Sequence, residues 1–273
     1  MAPTLLAFDT ATELLSVALA ARGRVHSHEA AGGALASATL IPAILRMLDE
    51  AGVALRDLDA IVFGRGPGAF TGLRTACSVA QGLAFGAGKP VLPVDTLLAL
   101  AEDARGSAAS QSAPQRVWAL LDARMNEIYA AQYAFDGARW EVLDAPMLTT
   151  PEVLNERWRR EPPSLVAGNA LGAFGERLAT GAAERAPDAL PRASALLALA
   201  PALIERGALV DAALALPLYV REKVAQTTAE RDAARSAKLE LQEALRDERR
   251  AAPKPARIPL GDRPTYSADE GLQ

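Results

Sequence analysis

Soft metal ligands are nearly missing from this chain of 273 residues, which has one cysteine, Cys77, and two histidines, His26 and His28. A lone cysteine excludes an internal disulfide, and so few ligands exclude a structural zinc site. The two histidines flank Ser27 with no carboxylate pair beside them, so they read as solvent-facing strand residues. Long apolar runs are missing too. Every one is broken by a charge, Gly or Pro before the roughly 18 residues that a bilayer span requires. The N-terminal dozen residues lack a basic n-region, so no signal peptide is expected and the chain is expected in the cytoplasm. Basic charge is scarce in the first 222 residues, which carry 19 Lys and Arg against 24 Asp and Glu, with Lys89 the only lysine. A body with that balance lacks the basic patch needed to hold RNA by itself.

What is present is a soluble α/β pattern long enough for two modest domains. Residues 4–8, 14–20 and 24–29 read as three consecutive antiparallel strands. A helix follows over 37–51, with Leu40, Ile41, Ile44, Leu45 and Leu48 at three- and four-residue spacing and Gly52 as its stop; Pro42 must lie in its first turn or kink it. A buried strand at 60–63, a helix at 72–87 and a strand at 91–94 complete the unit. Three strands before the first helix argue against a Rossmann domain, which opens strand, helix, strand. The order predicts a mixed five-stranded sheet with helical crossovers, the repeating unit of the actin-like ATPase (ribonuclease H-like) fold.

A polar stretch over 105–115 marks the change to a second unit, with strands at 117–121, 127–135 and 140–143, helices near 151–160, 171–180 and 192–206, and a loop over 186–193. The expected division is a first lobe over 1–104, a reduced second lobe over 105–228, and a charged, Pro-rich tail over 229–273, disordered or partly helical.

The most distinctive local pattern is Gly64-Arg65-Gly66-Pro67-Gly68-Ala69-Phe70-Thr71-Gly72-Leu73-Arg74, between a buried strand and a helix. Exposed N–H groups at such a helix start can hold an anion. The same glycines can equally serve unusual backbone angles and close packing. The loop is not G-x-G-x-x-G, since positions 69 and 71 are Ala and Thr. Gly88-Lys89 is no Walker A end either, because Leu83 stands five residues before Gly88. Asp9 and Thr10 after the first strand, Asp122 in Leu121-Asp122-Ala123-Arg124, and Gly168-Asn169 sit at strand ends where a phosphate or magnesium site could form, or where they cap turns. Cys77, among apolar helix neighbours, reads as a buried small hydrophobe. No nucleophile and no catalytic residue stand out.

The chain closely resembles the TsaB (YeaZ) family. The resemblance is carried by Leu6-Ala7-Phe8-Asp9-Thr10-Ala11-Thr12, the glycine loop from Phe63 to Arg74, Val79-Ala80-Gln81-Gly82-Leu83-Ala84, Leu121-Asp122-Ala123-Arg124 with Glu127-Ile128-Tyr129, and Pro217-Leu218-Tyr219-Val220-Arg221. It covers about residues 4–228. It implies two actin-like lobes, the second reduced, and a non-catalytic subunit in the making of threonylcarbamoyladenosine next to the anticodon of transfer RNA. The partners so implied are a paralogous catalytic subunit, TsaD, and a small ATPase, TsaE, with tRNA reached through the complex. The catalytic partner carries its metal on a His-x-x-x-His helix, which this chain lacks, and Ala36 stands where many family members have histidine.

On this reading no cofactor is intrinsic. ATP or ADP at the complex interface would lie near Asp9, Thr10, Gly66, Gly68, Asp122, Gly168 and Asn169. The expected partner surface is built from Ile41, Ile44 and Leu48 of the first helix, and Phe70, Arg74, Ala76, Ala80 and Ala84 of the second. There Gly72, Ala76, Ala80, Ala84 and Gly88 form a four-residue ladder of small groups that lets another helix approach closely. The isolated chain could pair with itself. The competing reading is an autonomous small-molecule kinase of the actin-like superfamily.

Overall fold

Two five-stranded sheets of the same topology are built one after the other in the chain. The computed structural model describes residues 2–107 and 115–221. The first sheet comprises β1 (Leu5–Asp9), β2 (Leu14–Ala21), β3 (Arg24–Ala31), β4 (Ala60–Gly66) and β5 (Val91–Asp95) in the order β3-β2-β1-β4-β5. β1 pairs antiparallel with β2 and parallel with β4, and β4 pairs parallel with β5. Every residue of β1 is buried, which explains its uninterrupted apolar run: a central strand covered on both faces has no polar side to alternate with.

The second sheet comprises β6 (Gln115–Asp122), β7 (Ile128–Phe135), β8 (Trp140–Thr149), β9 (Leu165–Ala167) and β10 (Glu184–Ala186) in the order β10-β9-β6-β7-β8. Strand for strand, this repeats the first sheet. The helices repeat as well. α1 (Ala36–Ala51) corresponds to α4 (Pro151–Arg160), α2 (Phe70–Ala87) to α5 (Ala170–Phe174), and α3 (Thr96–Ser107) to α6 (Ala193–Glu205). Such a duplicated unit is the actin-like, ribonuclease H-like architecture, and the second copy is reduced: α5 has 5 residues where α2 has 18.

Leu6, Phe8, Leu15, Val17, Leu19, Ile61 and Phe63 face α1 and α2 in one core. A larger core lies between the sheets, where α3 and α6 are stacked with Leu5, Val62 and Val94 on one side and Val117, Leu121 and Tyr133 on the other. α6 packs on β1, β2 and β4, and α3 on β6 and β7. Each lobe's last helix therefore helps cover the other lobe's sheet.

Several expected elements differ. Residues 105–107 of the expected polar stretch finish α3 and Gln115 opens β6; residues 108–114 lie outside the described residues, as does the tail over 229–273. β10 falls within and just before the expected loop over 186–193. The helix expected near 171–180 stops at Phe174, before Gly175 with φ +54, and continues as a 3-10 turn over Gly175–Arg177. β8 extends to Thr149 and accommodates Pro146 because it is an edge strand, where a missing N–H breaks no ladder. Pro42 sits in the second turn of α1 rather than the first, since the helix begins at Ala36.

Candidate functional site

The β1–β2 turn and the glycine loop close on each other. Asp9 is 0% exposed. Its Oδ1 accepts from the amide of Ala11 at 2.7 Å, and its Oδ2 accepts from the Thr96 hydroxyl at 3.0 Å. That hydroxyl in turn accepts from the Gly66 amide at 3.1 Å. Thr10, also fully buried, donates through Oγ1 to the Gly72 carbonyl at 2.8 Å. The Ala69 amide donates to the carbonyl of Ala11 at 2.7 Å. A Cβ added to Gly64 would overlap the Asp9 carboxylate, one on Gly68 would press on Ala11, and one on Gly72 would overlap the Thr10 carbonyl. The glycines thus admit the chain's own turn, and the amide of Ala69 at the start of α2 is spent on it. Desolvation pushes the Asp9 carboxyl up to about 6, against the smaller opposing effects of its bonds from Ala11 and Thr96.

At the end of β6, Asp122 accepts from the Arg124 amide at 2.8 Å and pairs with its guanidinium at 3.2 Å. Its own amide donates to Asn169 Oδ1 at 2.9 Å. Gly168, at φ +109, has no room for a Cβ against the Leu120 carbonyl. Asp9 and Asp122 therefore do not converge on a common empty position: the first is sealed in the core and the second caps its own turn. The cleft beside them, about 440 Å³, is lined by Thr12, Glu13, Glu29, Asn169 and Leu190. The neighbouring arginines are spent on its glutamates, Arg124 on Glu13 at 3.3 Å and Arg192 on Glu29 at 3.0 Å. Among the described residues the lining itself carries no Lys or Arg to hold a phosphate.

The expected partner surface needs correction. Ala76, Ala80 and Ala84 are fully buried against the first sheet, beneath Phe8 and Phe63, and Ile44 and Leu48 are buried with them. The small ladder lets α2 approach its own sheet, because large side chains already project from the strands. Ile41 stays exposed, Arg74 is exposed, and Phe70 is half-buried. The solvent face of the α1–α2 pair instead carries Ile41 (42% exposed), Leu45 (50%) and Phe85 (83%), with Pro42, Ser78 and Gly82 also exposed.

Among the described residues no group of three His, Cys, Asp or Glu side chains could hold a metal ion, and no helix is long and apolar enough to cross a membrane.

A family model described as TsaD, tRNA N6-adenosine threonylcarbamoyltransferase, matches residues 26–163. The tRNA threonylcarbamoyladenosine biosynthesis protein TsaB of Haemophilus influenzae is 36% identical over 236 residues, covering 81% of this chain and 94% of that protein. Its Escherichia coli counterpart is 34% identical over 225 residues, covering 81% and 96%. The chain belongs to the TsaB (YeaZ) family. YeaZ from Pseudomonas aeruginosa superposes with a TM-score of 0.72 at 42% identity, covering 80% of this chain and all of that one.

In this TsaB-family chain the motif Pro217-Leu218-Tyr219-Val220-Arg221 proves to be a strap across the glycine loop. Leu218 donates its amide to the Arg65 carbonyl at 2.7 Å. The Tyr219 ring lies 5.3 Å from Phe70, and its hydroxyl accepts from Arg74 Nε at 3.2 Å. Neither Thr96 nor Phe85 lies among the sequence-predicted site residues. For Phe85 there was a signal: a large aromatic on the helix face opposite the small ladder.

Proposed function

We propose that this chain is the non-catalytic scaffold subunit of the complex that makes threonylcarbamoyladenosine in tRNA, pairing with a TsaD-type catalytic subunit. The observation that carries the non-catalytic reading is the closure of the glycine loop on the β1–β2 turn. The site that could have cradled a phosphate is filled by the chain's own backbone, and its aspartate is sealed from solvent. The similarity to TsaB proteins over four-fifths of the chain supports the pathway. The match to the TsaD family model supports pairing between related lobes, since related lobes carry equivalent helix pairs that can meet face to face. The exposed face of α1 and α2, with Ile41, Leu45 and Phe85 around the small Ser78 and Gly82, is the surface for that pairing. Without the partner, two copies of this chain would meet through the same face. A TsaE-type ATPase docks on the pair, and ATP or ADP is held at the junction of the complex rather than in this chain's cleft. The acidic body leaves most tRNA contacts to the other subunits.

Reconstitution tests the reading. Purified TsaD- and TsaE-type partners, supplied with a threonylcarbamoyl donor, ATP and tRNA, should modify tRNA over repeated turnovers only when this chain is added, while this chain alone should neither modify tRNA nor turn over ATP. Full activity without it, or sustained ATP turnover by it alone, would sink the proposal.

A further inference from the structure

Three separate sequence motifs meet at residues 217–221. At the first-lobe end, Leu218 bonds the glycine-loop carbonyl of Arg65, and Tyr219 packs on Phe70 and accepts from Arg74, both in the first two turns of α2. Arg74 also lies over the Phe70 ring at 3.8 Å, so the three side chains form one stack. Two residues further, Arg221 reaches the second lobe. Its Nη2 donates to the Ala123 carbonyl at 2.9 Å and to Glu127 Oε2 at 2.6 Å, and its Nη1 lies 3.3 Å from Met125 Sδ. Its side chain is 18% exposed, against 73% and 80% for the Arg124–Glu13 pair that also joins the lobes, so solvent weakens the Arg221 anchor far less.

The turn that Arg221 grips is unusual. Arg124, Met125 and Asn126 all have positive φ, at 60°, 53° and 64°. L-residues rarely hold the left-handed region, and three in succession persist only where surrounding contacts impose them. Arg177 supplies one such contact by donating to Asn126 Oδ1 at 2.5 Å; Arg221 supplies those at Ala123 and Glu127.

We propose that residues 217–221 are an interlobe clasp, anchored by Arg221, that couples the conformation of the 124–126 turn to the position of the first two turns of α2. Arg221 is then a positioning residue for the partner face, though it touches neither Ile41, Leu45 nor Phe85. The link to partner binding rests on the pairing proposed above; the clasp itself does not.

Hydrogen–deuterium exchange on the full chain tests the clasp at two amides. That of Leu218 reports the first-lobe end, and that of Ala123, which donates to the Glu127 carbonyl at 3.0 Å, reports the second. In Arg221→Met, which keeps the aliphatic stem and removes the guanidinium, exchange should rise about tenfold or more at both, with β1 and β4 unaffected. A rise confined to 122–127, or no rise at either end, overturns the clasp. Should Arg221→Met fail to fold, Glu127→Gln loosens the same anchor and is judged by the same two amides. Affinity for the TsaD-type subunit should fall several-fold in Arg221→Met and partly recover in Arg221→Lys; unchanged affinity with both ends loosened overturns the coupling. If the unaltered chain does not bind that subunit, the pairing fails, and the exchange result still judges the clasp.

Discussion

Gly64 and Asp9 occupy one another's space: the carboxylate of Asp9 lies where a side chain on Gly64 would begin. Because Asp9 is also bound by Ala11 and Thr96, it cannot swing aside. Gly64→Ala should therefore cost about 1–3 kcal/mol through forced displacement of the β1–β2 turn. Gly82, also in this first lobe but with nothing within 4 Å of an added Cβ, is the control. Gly82→Ala should stabilise α2 by about 0.5–1 kcal/mol. Urea unfolding midpoints of the two variants check the contrast, and equal effects would refute it.

The buried carboxyl of Asp9 also makes stability depend on pH in an uncommon direction. Its folded-state value is raised from 3.8 to about 6 by desolvation. Below 3.8 the group is protonated in both states and its contribution is fully present; as pH rises through about 6 that contribution is lost. Asp9→Asn removes the titration. Relative to the parent, the Asn variant should gain about 2 kcal/mol between pH 4 and pH 7, whatever the absolute effect of the substitution. Chemical unfolding of both proteins across that range measures it, and a pH-independent difference would show that Asp9 is not the titrating group.

The first lobe was readable because four of its five strands carry apolar runs bounded by polar, Gly or Pro residues, and the polar β3 follows the turn at Arg22-Gly23. α3 was not, since Leu97 to Ala101 are all buried and a helix covered on every side shows no amphipathic contrast. β10 is three residues at a sheet edge, too short and polar to register. The glycine loop was recognisable as distinctive, yet its role depended on contacts with residues about sixty positions away. The α2 ladder misled for a similar reason. A row of small residues states that something comes close, while only the Phe8 and Phe63 rings opposite it identify the sheet as that neighbour. The strap at 217–221 was visible as a motif and opaque as a structure, because its partners lie in both lobes.

Truncation should distinguish the strap from the chain beyond it. Ending the protein after residue 228 retains every contact described for Leu218, Tyr219 and Arg221 and should change the thermal midpoint by no more than about 2–3 °C. Ending it after residue 216 removes the Leu218–Arg65 bond, the Tyr219 stack and the Arg221 anchor together. That shorter protein should melt roughly 5–10 °C lower. Thermal unfolding followed by circular dichroism makes the comparison, and matching midpoints would leave the strap without a structural role.

The partner face yields to substitutions that the buried ladder cannot tolerate. Ala80 is fully buried under the first sheet, so Ala80→Glu would bury an unpaired carboxylate and should unfold the monomer rather than block pairing alone. Leu45 and Phe85 are at least half exposed in the free chain, so Leu45→Asp and Phe85→Ser should leave its circular dichroism and thermal midpoint nearly unchanged. Their effect should appear on binding. A large aromatic beside small residues such as Ser78 and Gly82 is the kind of anchor that carries most of an interface's energy, and losing one typically costs about 2 kcal/mol or more, roughly thirtyfold in affinity. Leu45→Asp adds the cost of desolvating a charge against an apolar partner and should be at least as severe. Titration calorimetry against the TsaD-type subunit measures both, with Val25→Ser as a control, since Val25 is exposed on the edge strand β3, away from the two helices. Normal affinity in both face variants would exclude the α1–α2 face as the pairing surface. A folded Ala80→Glu that loses only partner binding would return the interface to the ladder.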